Sequence, residues 1–322
     1  MTSLFDQFLA FLYAAVLAAV PLLYGTLGEI LTQKAGNINL GVEGMMYLGA
    51  IAGFAVGYAT SSPALVLLAG FLAGALGALL YAFLTVTLKA NQNVTGLTLT
   101  VFGTGVANFI GEQIKTQAPV GTVFMSEGLK AGLTPLKLGA LSELPVAGKL
   151  LFSHSILTYL AVACAILMSL YLNRSRRGLN LRAVGENPAA ADAMGVPVGR
   201  YKYAHILVGG GLSGLGGVYI SMVTCLGNWQ PNIIAGQGWI AVALVIFAVW
   251  RPLRAVVGSL VFGALSVLRL YISKDVADIP AAIFSMLPFA VTCLVLVISS
   301  IRMKPEHRQP ASCGVNYFRE ER

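Results

Sequence analysis

Three polar clusters interrupt an otherwise apolar sequence. The first is Asn37, Asn39 and Glu43, with Gly36, Gly41 and Gly44 around them. The second holds Gln92, Asn93 and Thr95, followed by Thr98 and Thr100. The third is Trp229, Gln237 and Trp239, together with Asn228, Gln230 and Asn232. Amides and hydroxyls form hydrogen bonds without carrying charge, and indole rings offer flat faces for stacking. Such groups suit the lining of a path for an uncharged polar solute. The same groups also cap and hydrogen-bond helices, and that second reading stands beside the first. Glu43 differs, because an ionised carboxylate at lipid depth needs a partner or a watery cavity; Asn37, Asn39 and the glycine backbone are the nearest candidates.

Bond-making chemistry finds no support. His154 and His205 have no catalytic partner nearby in sequence and read as interfacial or packing residues. Cys164, Cys225, Cys293 and Cys313 lack metal-ligand spacing, and no His, Asp or Cys cluster has triad spacing. The phosphate-cradling pattern GxxxxGK[ST] is also missing, since Gly148-Lys149 is followed by Leu150. No catalytic residue and no metal site are therefore expected.

A different kind of signal lies in residues 174–203. Asn187 is a good N-cap, Pro188 suits the first helical position, and Ala189 to Met194 permit a helix. Gly195 then stops it and Pro197 prevents its resumption. A helix of about two turns is unstable alone in water. The rest of the loop or a partner protein must hold it.

The elements that position these groups follow from composition. The chain has 322 residues, 57% hydrophobic and only 11% charged, against about 25% charged in soluble domains. That excludes a soluble enzyme, a disordered chain and a nucleic-acid reader. The net charge of +8 is distributed between apolar runs rather than in one patch. The charge-free runs of 45 residues between Glu43 and Lys89 and of 48 between Lys202 and Arg251 each hold two spans of about 20 residues. Ser61-Ser62-Pro63 divides the first, and Gly227-Asn228-Trp229-Gln230-Pro231 the second. The expectation is an all-α polytopic membrane protein with about nine transmembrane helices (eight to ten), residues 1–303, and a flexible cytoplasmic tail over 304–322. Arg174, Arg176, Arg177, Arg182, Arg200 and Lys202 place the loop of about 173–202 in the cytoplasm, and leave 111–153 outside. Asn37-Ile38…Gly41 and Asn232-Ile233…Gly236 share a loose pattern that suggests an inverted internal repeat. Glycines four apart, such as Gly49, Gly53 and Gly57, read as close helix packing.

The string GLNLRAVGENPAAADAMGVPVGRYKY (178–203) resembles the cytoplasmic coupling loop of permease subunits of ATP-binding-cassette (ABC) importers. GNINLGVEGMMYLGA (36–50), ANQNVTGLTLTVFGTG (90–105) and GQGWIAVALVIFAVWRPLRAVVGSLVFG (236–263) are similar to the purine nucleoside branch of the branched-chain amino acid and simple-sugar permease superfamily. Arg254 and the tail after Lys304 depart from the family pattern. The resemblance implies a multi-pass protein of the bacterial or archaeal cell membrane, which lies in the lipid bilayer and binds no nucleic acid. Its partners would be a second homologous permease subunit, an ABC ATPase with two nucleotide-binding domains, and an extracytoplasmic substrate-binding lipoprotein. ATP and Mg would sit in the partner ATPase, so this chain would need no cofactor and would not be an enzyme. By that likeness Glu186, Asn187, Pro188, Ala190, Asp192 and Gly195 would couple to the ATPase, with Glu186 and Asp192 as the charged contacts. The cargo would be a nucleoside, with a simple sugar or another ribosylated metabolite as alternative. A secondary transporter using Glu43 for ion coupling is the alternative class.

Overall fold

The computed structural model describes residues 4–117, 127–135, 146–271, 281–301 and 308–319, and no strand occurs among them. The helices in chain order are α1 (Leu4–Lys34), α2 (Val42–Ala59), α3 (Pro63–Ala82), α4 (Gln92–Gln117), α5 (Glu127–Leu133), α6 (Ala147–Leu151) and α7 (Ile156–Arg174). They continue with α8 (Arg176–Glu186), α9 (Pro188–Ala193), α10 (Val198–Val218), α11 (Gln237–Phe247), α12 (Pro252–Tyr271) and α13 (Ala281–Ile301). Wider π-helical turns extend α3 over Phe83–Thr87 and α10 over Tyr219–Thr224.

Seven helices among the described residues are long and apolar enough to cross a membrane: α1, α2, α3 with its extension, α4, α7, α10 with its extension, and α12. The expected count of about nine is not confirmed among the described residues. The difference has a physical cause in α11, which has only 11 residues and at 1.5 Å per residue covers about 16 Å, half of a hydrocarbon core. The other short apolar stretch is Met286–Val295 within α13. Elsewhere the breakers fall where expected: α3 starts at Pro63, and residues 225–236 form the irregular connection before α11. The segment read as external, 111–153, begins inside α4, which runs on to Gln117, and includes α5 and α6.

Glycine decides how these helices meet. A Cβ at Gly49 would lie 2.2 Å from the carbonyl oxygen of Gly214, and one at Gly74 would lie 2.3 Å from that of Gly210. Gly28 and Gly209 approach in the same way, as do Gly44 and Gly103. Lipid provides no hydrophobic force between helices, so van der Waals contact between bare backbones must hold the bundle of α1, α2, α3 and α10 together. α10 is the axis of that bundle, being the most deeply buried of the seven spans.

Gly74→Ala should therefore destabilise the folded chain by about 1–3 kcal/mol, because its methyl group meets backbone that cannot yield. Gly105→Ala, whose Cβ would meet nothing within 4 Å, should leave stability unchanged. Thermal unfolding in detergent separates the two.

Candidate functional site

The first and third polar clusters meet at Glu43. Its Oε1 accepts from the Gly236 N–H (2.9 Å) and its Oε2 from the Gly238 N–H (2.6 Å). Glu43 opens α2, and Gly236 and Gly238 open α11. The first turn of a helix has N–H groups without intrahelical partners and a positive dipole end, so a carboxylate there is doubly favoured. Gly238 is required by contact, since a Cβ there would lie 2.5 Å from the Glu43 Cα. Gly236 is required by conformation, with φ +83. The two Asn-Ile-x-x-Gly segments thus occupy matching places, each ending on the residue before a helix.

A second buried acid extends this network. Glu29 Oε1 accepts from Gln33 Nε2 (2.8 Å) and from the Asn39 N–H (3.0 Å). Gln33 Oε1 accepts from the Trp250 indole (2.6 Å), and Asn39 Oδ1 accepts from the Gly41 N–H (2.8 Å). Glu29, Gln33 and Trp250 are not among the residues that the sequence singles out. The signal available was the four-residue spacing of Glu29 and Gln33 on one helix face.

Several residues expected to line a path take part in this framework, whereas Asn37 Oδ1 and the Trp229 indole nitrogen are buried without a hydrogen-bond partner. Asn37, Asn39, Glu43, Gln92, Thr95 and Trp229 are all buried. Gln92 Oε1 accepts from the Ile38 N–H (2.8 Å), and Thr95 Oγ1 donates to the Asn91 carbonyl (2.8 Å). The Trp229 ring fills the space between Phe54 and Gly111, so it is a core wedge rather than a stacking platform. Asn93 is exposed, and Gln237 and Trp239 are half-buried at the start of α11. Thr98 of the second cluster and Asn228, Gln230 and Asn232 of the third are exposed as well.

The loop helix forms as its sequence dictates. Asn187 Oδ1 accepts from the Ala190 N–H (3.0 Å), Pro188 takes the first position, and Gly195 at φ +80 ends the turn. Its buried side is Ala191, packed with Val184 and Val198. Its outer side presents Ala190, Ala193 and Met194, the last 84% exposed. Two features were missed from sequence. One is α8, capped by Ser175 Oγ accepting from the Gly178 N–H (2.9 Å). The other is the outward Met194.

The tail is not a free end. Ser312 donates through its N–H (3.0 Å) and its hydroxyl (2.6 Å) to the Gly185 carbonyl. Asn316 Nδ2 donates to the Lys89 carbonyl (2.6 Å), while Asn316 Oδ1 accepts from Gln92 Nε2 (3.1 Å). Tyr317 donates to Asp192 Oδ2 (2.9 Å), and Arg319 pairs with the same oxygen (3.2 Å). Glu186 Oε2 accepts from the Ala311 N–H (3.2 Å). Residues 308–319, part of the tail expected over 304–322, thus contact the loop and the end of α3. Glu186 and Asp192 both bind this tail. Burial between these elements pushes the Cys313 thiol up to about 12.

Glu43→Gln replaces one acceptor oxygen by a donor that faces a peptide N–H. The substitution should cost about 1–3 kcal/mol, read as a lowered unfolding midpoint of the purified chain. An unchanged midpoint would remove Glu43 from the framework.

The family described as the branched-chain amino acid transport system permease component matches residues 11–296. A nucleoside ABC transporter permease, NupC of Lactococcus lactis, is 33% identical over 94% of this chain and 95% of its own length. A guanosine ABC transporter permease, NupQ of Bacillus subtilis, is 32% identical over 88% of this chain and 89% of its own. TsgC13 of Haloferax volcanii, an ABC transporter permease whose assignment to glucose is itself provisional, is 40% identical over 80% of this chain and 76% of its own. No solved structure matches the chain. With seven long apolar helices among the described residues and a family match over most of its length, the chain belongs to the permease-component family of branched-chain amino acid transport systems, as a multi-pass cell-membrane permease of an ABC importer.

Proposed function

We propose that this chain forms half of a translocation pathway for nucleosides, paired with a second, homologous permease. The observation that carries the reading is the match to NupC along nearly the whole of both chains. The chemistry of the accessible groups agrees with it. Asn93, Thr98, Asn232 and Gln237 offer uncharged donors and acceptors suited to ribose hydroxyls and base edges, and Trp239 offers a stacking face. The path needs no cation for such a cargo, unlike one for a phosphorylated solute.

In this reading α9 is the part that an ATPase grips. Small side chains at Ala190 and Ala193 lose little entropy on docking, and Met194 supplies a polarisable, adaptable apolar contact. ATP and Mg belong to that partner, and cargo arrives from an extracytoplasmic binding lipoprotein. A simple sugar remains the second reading, favoured by the likeness to TsgC13. The reading as a secondary transporter loses ground, because both Glu43 oxygens already accept from peptide N–H groups.

The test is uptake by the assembled transporter in proteoliposomes, with its second permease, ATPase and binding lipoprotein. ATP-driven accumulation of labelled guanosine or adenosine, undiminished by excess glucose, is the expected result. Glucose accumulation without nucleoside accumulation would overturn the cargo assignment.

A further inference from the structure

A cavity of about 570 Å³ opens beside the loop helix, between the cytoplasmic ends of α3 and α10 and the end of the tail. Its walls include Lys89, Arg200, Lys202 and Arg319, and no carboxylate lines it among the described residues. Tyr203, Tyr317 and Phe318 supply the aromatic walls, and Val86 and Val198 the aliphatic ones.

Lys202 is the feature that packing does not explain. It is only 4% exposed and no acid pairs with it among the described residues, and the ammonium at the end of its buried stem still reaches open space. A largely desolvated cation with no acid beside it is costly, and an anion entering the cavity would offset that cost. The neighbouring cations compound the cost. Lys89 lies over the Phe318 ring at 5.9 Å, and burial lowers its affinity for a proton. Arg319 is the exception, being held by Asp192 (3.2 Å). Three cations facing one cavity, one of them buried, match a group that carries more than one negative oxygen.

We propose that this cavity binds a phosphate group. Phosphate presents several acceptor oxygens at once, so it can satisfy Lys202, Lys89 and Arg200 together. Two sources share that chemistry. The cavity lies where the spans end in a basic loop, the level at which anionic headgroups gather, and its aliphatic walls would accept the first carbons of an acyl chain. A soluble phosphate ester would use the same cations and the aromatic walls. Either ligand would tie α10 and the tail to the end of α3, next to the segment that carries α9. The inference does not depend on which cargo the permease carries.

The measurement is thermal unfolding of the full-length permease in maltoside detergent, titrated with one of three probes. Dioleoylphosphatidylglycerol tests the lipid source, glycerol 3-phosphate the soluble source, and dioleoylglycerol is the phosphate-free control. A saturable rise in midpoint with either phosphate probe, absent with the control, is expected, and the responding probe identifies the source. Lys202→Gln and Lys89→Gln should each raise the half-saturating concentration about tenfold, while Arg254→Gln, which lies outside the cavity, should not. If Lys202→Gln fails to fold, Lys89→Gln alone carries the comparison. No saturable response to either phosphate probe, or a response unchanged in the lysine variants, would overturn the proposal. So would a response seen only in Glu320→Gln/Glu321→Gln, which would assign the cations to the chain's own acids.

Discussion

Peptide groups in a membrane protein have no water to turn to, and the helix that stops halfway is the hardest case. α11 starts with N–H groups that need acceptors, and Glu43 supplies two oxygens from α2, nearly two hundred residues earlier in the chain. The carboxylate in turn needs donors to remain at that depth, so each side resolves the other's deficit. Because the bond joins the entries of α2 and α11, it also fixes the irregular connection that precedes each helix. The residues around it then have little freedom: Gly238 must be glycine to admit Glu43, and Asn39 must turn toward Glu29 and Gly41.

A second set of contacts, which begins at Ile38 just before α2, reaches the cytoplasmic helix. Ile38 is held by Gln92, Gln92 by Asn316, and the residue after Asn316 binds Asp192 on α9. Ser312 and Ala311 secure the preceding turn of the loop at Gly185 and Glu186. Gly185 itself packs against the Lys34 carbonyl at the end of α1. A six-residue helix that would not persist alone is therefore braced from below by the bundle and from the side by the tail. Its outer face is left free, and that face is small and apolar. This is the arrangement expected of a part that must transmit force as a rigid body.

Sequence reading succeeded where a local rule governs the outcome. Asn187, Pro188 and Gly195 delimit α9 through capping and backbone conformation alone, and Ser61-Ser62-Pro63 separates two spans for similar reasons. It failed where the outcome depends on a distant partner. Gln92 and Trp229 announce that they need contacts, but the sequence does not say that Gln92 meets the Ile38 N–H and Asn316, or that the Trp229 ring packs on Phe54. α11 was read as a full span because hydropathy does not register where a helix stops; the stop is a turn through Val249 and Trp250, both at φ +52, in an apolar run. α8 contains Gly178 and Gly185, which mask its helical character, although both are needed for close contact with α7 and α1. The tail carries no periodic pattern at all, since it is held by single side chains at Ser312, Asn316, Tyr317 and Arg319.

The central proposal is that α9, braced by the tail, is the surface that the ATPase grips. The direct measurement is site-specific crosslinking in the assembled transporter, with the native cysteines replaced and Met194→Cys as the only permease thiol. A bifunctional thiol reagent should join Met194→Cys to the ATPase, while Phe109→Cys, exposed elsewhere on α4, should give no such product. Absence of the Met194→Cys adduct in a complex that still hydrolyses ATP in response to loaded binding protein would contradict the account.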